Sequence, residues 1–126
     1  MEMMYLSIMS RYVIQDTESS AIKKSLKKWG QFTVSTKNLD GVITIKNFRK
    51  YQFRNEVDIS FTGKIFAKTG YCSDWHNSNI LKTKNISKVK LNRFLRKSCL
   101  EEVKFRMNYF GIQIQNYHDI TKIKWE

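Results

Sequence analysis

The chain has no proline, two cysteines, two histidines and only 11 acidic residues against 23 lysines and arginines. Too few carboxylates are present to neutralise the surface, and the formal net charge is +12 over 126 residues. A protein so charged meets polyanions at raised rates, a statement about association and not about fold. No run of about 18 apolar residues occurs, which excludes a spanning helix. Met1 to Ile14 is apolar, but Glu2 stands where a signal peptide carries positive charge, and Ser7, Ser10 and Arg11 interrupt it. This stretch reads as a strand. Two cysteines, Cys72 and Cys99, without a secretory signal imply reduced thiols and an intracellular (cytoplasmic) protein. The missing proline, with abundant Lys, Asn and Ile, is the codon signature of an AT-rich genome such as that of a phage, virus, organelle or low-GC bacterium.

What is present suffices for one domain over residues 1–126, since 41% hydrophobic and 13% aromatic residues provide a core. Residues 3 to 14 predict a buried first strand. Asp16 to Ser20 offers helix caps, Ile22, Leu26 and Trp29 follow at helical spacing, and Gly30 supplies a stop. Lys23, Lys24, Lys27 and Lys28 form the outer face of that short helix. Phe32 and Val34 open a strand that turns at Asn38 to Gly41, with Asp40-Gly41 as the hairpin dipeptide. Val42 to Arg54 runs back with Ile43, Ile45, Tyr51 and Phe53 on its apolar side and Lys46, Lys50 and Arg54 on its wet side. Val57, Ile59, Phe61, Gly63 and Ile65 alternate cleanly, so residues 56 to 68 form a half-buried strand.

Residues 69 to 86 are polar and aperiodic, a loop of a length that is often functional. Ser87 then caps a long helix to about Tyr109, stopped by Gly111. Its apolar stripe is Leu91, Leu95, Cys99, Val103 and Met107, joined by Phe94, Leu100 and Phe110. Ile112 and Ile114 begin a strand, Asn116 to Asp119 turns it, and Ile120 to Trp125 forms another. The order β-α-β-β-β-α-β-β predicts an α+β domain, a mostly antiparallel sheet with both helices on one face. The β-α-β-β-α-β core of that order resembles the split βαβ, ferredoxin-like arrangement, a resemblance of element order that carries no site residues across.

From Lys82 to Arg106 there are nine Lys or Arg and two acids, Glu101 and Glu102. At about 100° per residue, Lys90, Arg93, Lys97 and Lys104 share one narrow sector of the long helix. A charge run is ordinarily a solvated face. Here only Glu101 interrupts the sector, and the imbalance favours a nucleic-acid backbone as partner. Arg49, Lys50 and Arg54 would extend this track. Tyr51 and Phe53 interleave with these cations but belong by parity to the core, whereas Trp75 has no periodic core position and is the expected stacking ring.

Other chemistries find less support. Cys72 and His76 form a single CxxxH pair, with Cys99 and His118 distant, where a structural zinc site shows two close pairs; no metal or cofactor is expected. His76 with His118, or Asp58 with Asp74, would serve a small nuclease, but no spacing favours either and Asp58 reads as a solvated carboxylate. No phosphate-cradling glycine loop or nucleophile elbow exists, so an enzyme is disfavoured. The basic first helix has the composition of an interfacial membrane anchor, which packing of Ile22, Leu26 and Trp29 explains without a membrane. Helix-turn-helix, zinc-finger and basic-zipper patterns are absent. The expectation is therefore a small nucleic-acid-binding protein for RNA or single strands, such as a ribonucleoprotein component. The alternative is a phage or viral accessory factor that docks on a host or assembly protein.

Overall fold

The computed structural model describes residues 3–15, 17–27, 30–37, 39–51, 53–67 and 88–125. Its elements are β1 (Met3–Ile14), α1 (Ser19–Lys27), β2 (Gln31–Ser35), β3 (Leu39–Lys50), β4 (Glu56–Ala67), α2 (Lys88–Tyr109) and β5 (Ile114–Trp125). The five strands form one sheet in the order β2-β3-β4-β1-β5, every neighbour antiparallel. This is the expected α+β architecture. Since β4 and β5 both run antiparallel to β1 and flank it, the β4-α2-β5 connection is a split crossover.

Alternation decides which sheet face is buried. Leu6, Ile8, Tyr12 and Ile14 of β1 and Val57, Ile59, Phe61 and Ile65 of β4 are buried on one side. They share a core with Ile22 and Leu26 of α1 and Leu91, Leu95, Cys99, Val103 and Met107 of α2. Both helices therefore cover the same face, and no described element packs on the other. Burial of this apolar set is the main force holding the layers together.

Several turns differ from expectation. Asp40 and Gly41 are not the hairpin turn: they lie inside β3, opposite Ser35 and Val34. The reversal comes earlier, where Thr36 N–H donates to the Leu39 carbonyl at 2.8 Å and Leu39 N–H to Thr36 Oγ1 at 3.1 Å. Crowding favours glycine at 41, because a Cβ there would stand 2.6 Å from Ile65 Cδ1 and 2.7 Å from Val34 Cγ2 and would force those side chains to shift. The end of the chain is one strand and not two. At the expected turn near Asn116 to Asp119 the register slips instead, Met9 facing Lys122 and Arg11 facing His118, so β5 takes up extra residues and keeps pairing with β1.

The long helix ends as expected. Gly111 is left-handed, with φ 77°. Its N–H donates to the Asn108 carbonyl and that of Ile112 to the Met107 carbonyl, a Schellman cap. Phe110 lies just past the helix and is 37% exposed, so it adds little to the stripe. α1 is followed by Gly30 at φ 65°. Among the described residues, no helix is long and apolar enough to cross a membrane.

Candidate nucleic-acid interface

The four-residue recurrence of buried side chains on α2 leaves its far side to solvent. Lys90, Arg93, Arg96, Lys97 and Lys104 are all exposed there. The one acid within this sector is Glu101. Glu102 turns instead toward Arg106, accepting from its Nε at 3.0 Å. α1 packs beside α2 with Ile22 and Leu26 inward and Lys23, Lys24 and Lys27 exposed. Trp29 lies outside the described residues. The helical layer thus presents cations from both helices on one outer surface.

Arg106 joins the two helices, a role that the sequence reading missed. It is fully buried. Its Nη1 donates to the Leu26 carbonyl at 2.8 Å and to the Gly30 carbonyl at 3.4 Å, and its guanidinium carbon stands 5.8 Å from the Phe32 ring centroid. Leu26 lies in the last turn of α1, where carbonyls lack helical partners and the macrodipole favours a cation. A signal was present: at about 100° per residue, position 106 falls between Leu95 and Cys99, in the middle of the apolar stripe.

The strand cations stand elsewhere. Ile45 pairs with Phe61 and Asn47 with Ser60, so Lys46 is an extra residue that inverts the parity of β3 beyond it. Phe48 consequently packs against the core. The bulge also corrects the expected core position of Tyr51, which binds side chains of the uncovered sheet face, while Phe53 lies in the turn beyond β3 and is 90% exposed. Lys50 pairs with buried Val57 and is half-buried on the helix side, while Arg49 pairs with Asp58 on the uncovered side. The helix and strand cations therefore do not form one track. Arg49 and Arg54, gathered at Tyr51, lie on the side away from the helices, whereas Lys50 lies on the helix side.

Asp58 is no solvated carboxylate. It accepts from Arg11 Nε at 2.7 Å, Arg11 Nη2 at 3.1 Å and Tyr51 Oη at 2.6 Å, and Glu56 lies 3.7 Å from the same Arg11. Partial burial opposes its charge, but the bonds from Arg11 and Tyr51, with the positive charges of Arg11 and Arg49, outweigh it and hold its carboxyl below the ordinary value. The bond to Asp58 in turn raises the Arg11 guanidinium above its own. Three guanidiniums gather around the Tyr51 ring, Arg54 at 4.3 Å, Arg11 at 5.0 Å and Arg49 at 5.2 Å from its centroid. With its oxygens engaged by two donors, Asp58 is placed to organise arginines and not to hold a metal ion.

Trp75, Cys72, His76 and Asp74 lie outside the described residues, as does the side chain of His118. Cys99 is buried under α2, and burial, with Glu102 nearby, pushes its thiol up to about 12. Fold and surface together define a small basic α+β protein whose described helices cover one face of the sheet. No family model, curated protein or solved structure matches the chain.

Proposed function

We propose that the protein binds nucleic acid, with RNA or single strands preferred to a specific duplex site, as an intracellular ribonucleoprotein component would. The observation that carries this reading is the outer helical surface, where Lys90, Arg93, Arg96, Lys97 and Lys104 of α2 and Lys23, Lys24 and Lys27 of α1 are exposed. Glu101 and Glu18 are the exposed acids described on these helices or their caps. Such a surface releases counterions on meeting phosphates, which gives affinity that falls steeply with salt. Titration with single-stranded RNA, single-stranded DNA and duplex DNA at two salt concentrations tests it. Changing Arg93 and Lys97 together to Glu should weaken duplex binding and flatten the slope of log affinity against log salt by about 1.8, or 0.9 for each phosphate no longer neutralised. Absence of binding at low salt refutes the reading.

Docking on a protein is the second reading, and one observation favours it. Phe105 and Tyr109 near the end of α2 are 58% and 60% exposed, and Tyr109 meets Phe110 edge to face at 5.3 Å. Exposed rings gathered at one helix end are the usual composition of a protein contact. A partner held through them would lose affinity on Phe105→Asp and be indifferent to Arg93→Glu.

A further inference from the structure

The other sheet face, on which no described element packs, carries its own arrangement of groups, separate from the helices. Arg49 and Arg54 are exposed and gathered at the Tyr51 ring, whose hydroxyl is fixed by Asp58 and Arg11. Asp58 is engaged by Arg11, and among the described residues no carboxylate lies within ion-pair distance of Arg49 or Arg54. Guanidinium groups stacked near a ring keep their N–H edges available for a bidentate anion, and phosphate matches that fork. Lys122 and Lys124 of β5 face Met9 and Ser7 of β1 across the same surface, and both are exposed.

Further along that face a shallow cleft of about 280 Å³ is lined by Tyr5, Ser7, Gln31, Thr44, Thr62 and Lys64. Its floor is made of hydroxyls, since Ser7, Thr62 and Thr44 sit side by side on β1, β4 and β3. Tyr5 borders it and is 47% exposed. Ser7 and Arg11 lie on one face of β1, four residues apart, which separates the cleft from the arginine cluster by about 13 Å. Cations at one end, a half-exposed ring with hydrogen-bonding groups at the other and lysines along the β5 side suit a strand whose phosphates and bases are reached together. A duplex keeps its bases stacked inside, beyond the reach of Tyr5.

The geometry points to the uncovered sheet face as a single-stranded nucleic-acid track, in which Arg49 and Arg54 hold phosphate and Tyr5 stacks on a base in the cleft. This deepens the nucleic-acid reading and rests on it. The helices then supply general attraction for any polyanion, and the sheet supplies the preference for an unpaired strand.

The test compares the unaltered protein with Tyr5→Leu, with Arg49→Gln/Arg54→Gln and with the helix variant Arg93→Glu/Lys97→Glu. Oligouridylate and a DNA duplex of equal length are the probes, and each variant's unfolding midpoint confirms the fold. Tyr5→Leu should lower affinity for oligouridylate by about five- to 160-fold, the range for losing one stacked base. The arginine pair should lower the single-strand salt slope by about 1.4, two phosphates at 0.7 each. Both sheet variants should bind duplex within about twofold of the unaltered protein, a shift of at most a few tenths of a kcal/mol, whereas the helix variant should bind both ligands more weakly. Sheet variants that bind oligouridylate as the unaltered protein does overturn the track and leave the nucleic-acid reading standing. Equal losses for duplex and single strand overturn it too, by making the face a general anion patch. No binding of either ligand by the unaltered protein at low salt removes the reading on which the track rests.

Discussion

Replacing Arg106 with methionine should cost about 2–4 kcal/mol, although no charge reaches solvent at that position. Methionine keeps a long unbranched stem in the middle of the α2 stripe, so little volume is lost and the cavity contribution is small. What goes is the hydrogen-bonding head. The bond from the guanidinium to the Leu26 carbonyl, at 2.8 Å, has a charged donor and stabilises by about 1.5–3 kcal/mol. The longer bond to Gly30, at 3.4 Å, adds little. Glu102 loses its partner, but its side chain is 27% exposed and turns to water, for no more than about 1 kcal/mol. Desolvation recovered by removing the charge works in the opposite direction and keeps the total in the lower part of that range. Urea unfolding followed by circular dichroism should show a midpoint about 1–2 M lower at unchanged m. Because the bonds removed lie at the end of α1, hydrogen exchange at Ile22 to Lys27 should accelerate more than exchange in β1 and β4. A variant as stable as the unaltered protein, with α1 exchanging no faster, would refute the assignment of Arg106 as the link between the helices.

Two further outcomes follow from the sheet. The Asp58 carboxyl titrates lower in the folded protein than in the unfolded chain, so its contribution to stability is complete above about pH 4 and declines as pH falls below that. Asp58→Asn should remove this part of the acid sensitivity, and parallel stability curves for the two proteins between pH 6 and the acid limb would contradict the arrangement around Arg11 and Tyr51. Phe61 is 1% exposed and Phe53, in the turn after β3, 90%, so chemical denaturation should show Phe61→Ala costing about 3–5 kcal/mol and Phe53→Ala less than about 0.5; similar losses from both would contradict the placing of Phe53 in an exposed turn.

Much of the fold was legible because it depends on short-range periods. The alternation Val57, Ile59, Phe61, Gly63, Ile65 and the spacing Leu91, Leu95, Cys99, Val103, Met107 each place a strand or helix and choose its buried face, since a residue's direction follows from its own backbone. Gly30 and Gly111 likewise mark helix ends through a left-handed conformation that they adopt without strain. Of the candidate interface, the exposed sector of Lys90, Arg93, Lys97 and Lys104 was legible for the same reason, as the complement of the apolar stripe.

Composition and local period thus determined the basic charge, the α+β class, the two described amphipathic helices and the inward side of most described strands. Tertiary structure alone decided the strand order, the continuity of β5 and the parity of β3 beyond Lys46. Polar residues that would make a turn equally fill a bulge, and only the partner strand selects between them. Tyr51 left the expected core because one extra residue, which has no signature of its own, turned it toward Asp58 and Arg11. Arg106 is buried because a carbonyl 80 residues earlier accepts its proton. Charge on the chain is additive and local, whereas the pairing that decides which charges are free to meet a partner forms only when distant segments pack together.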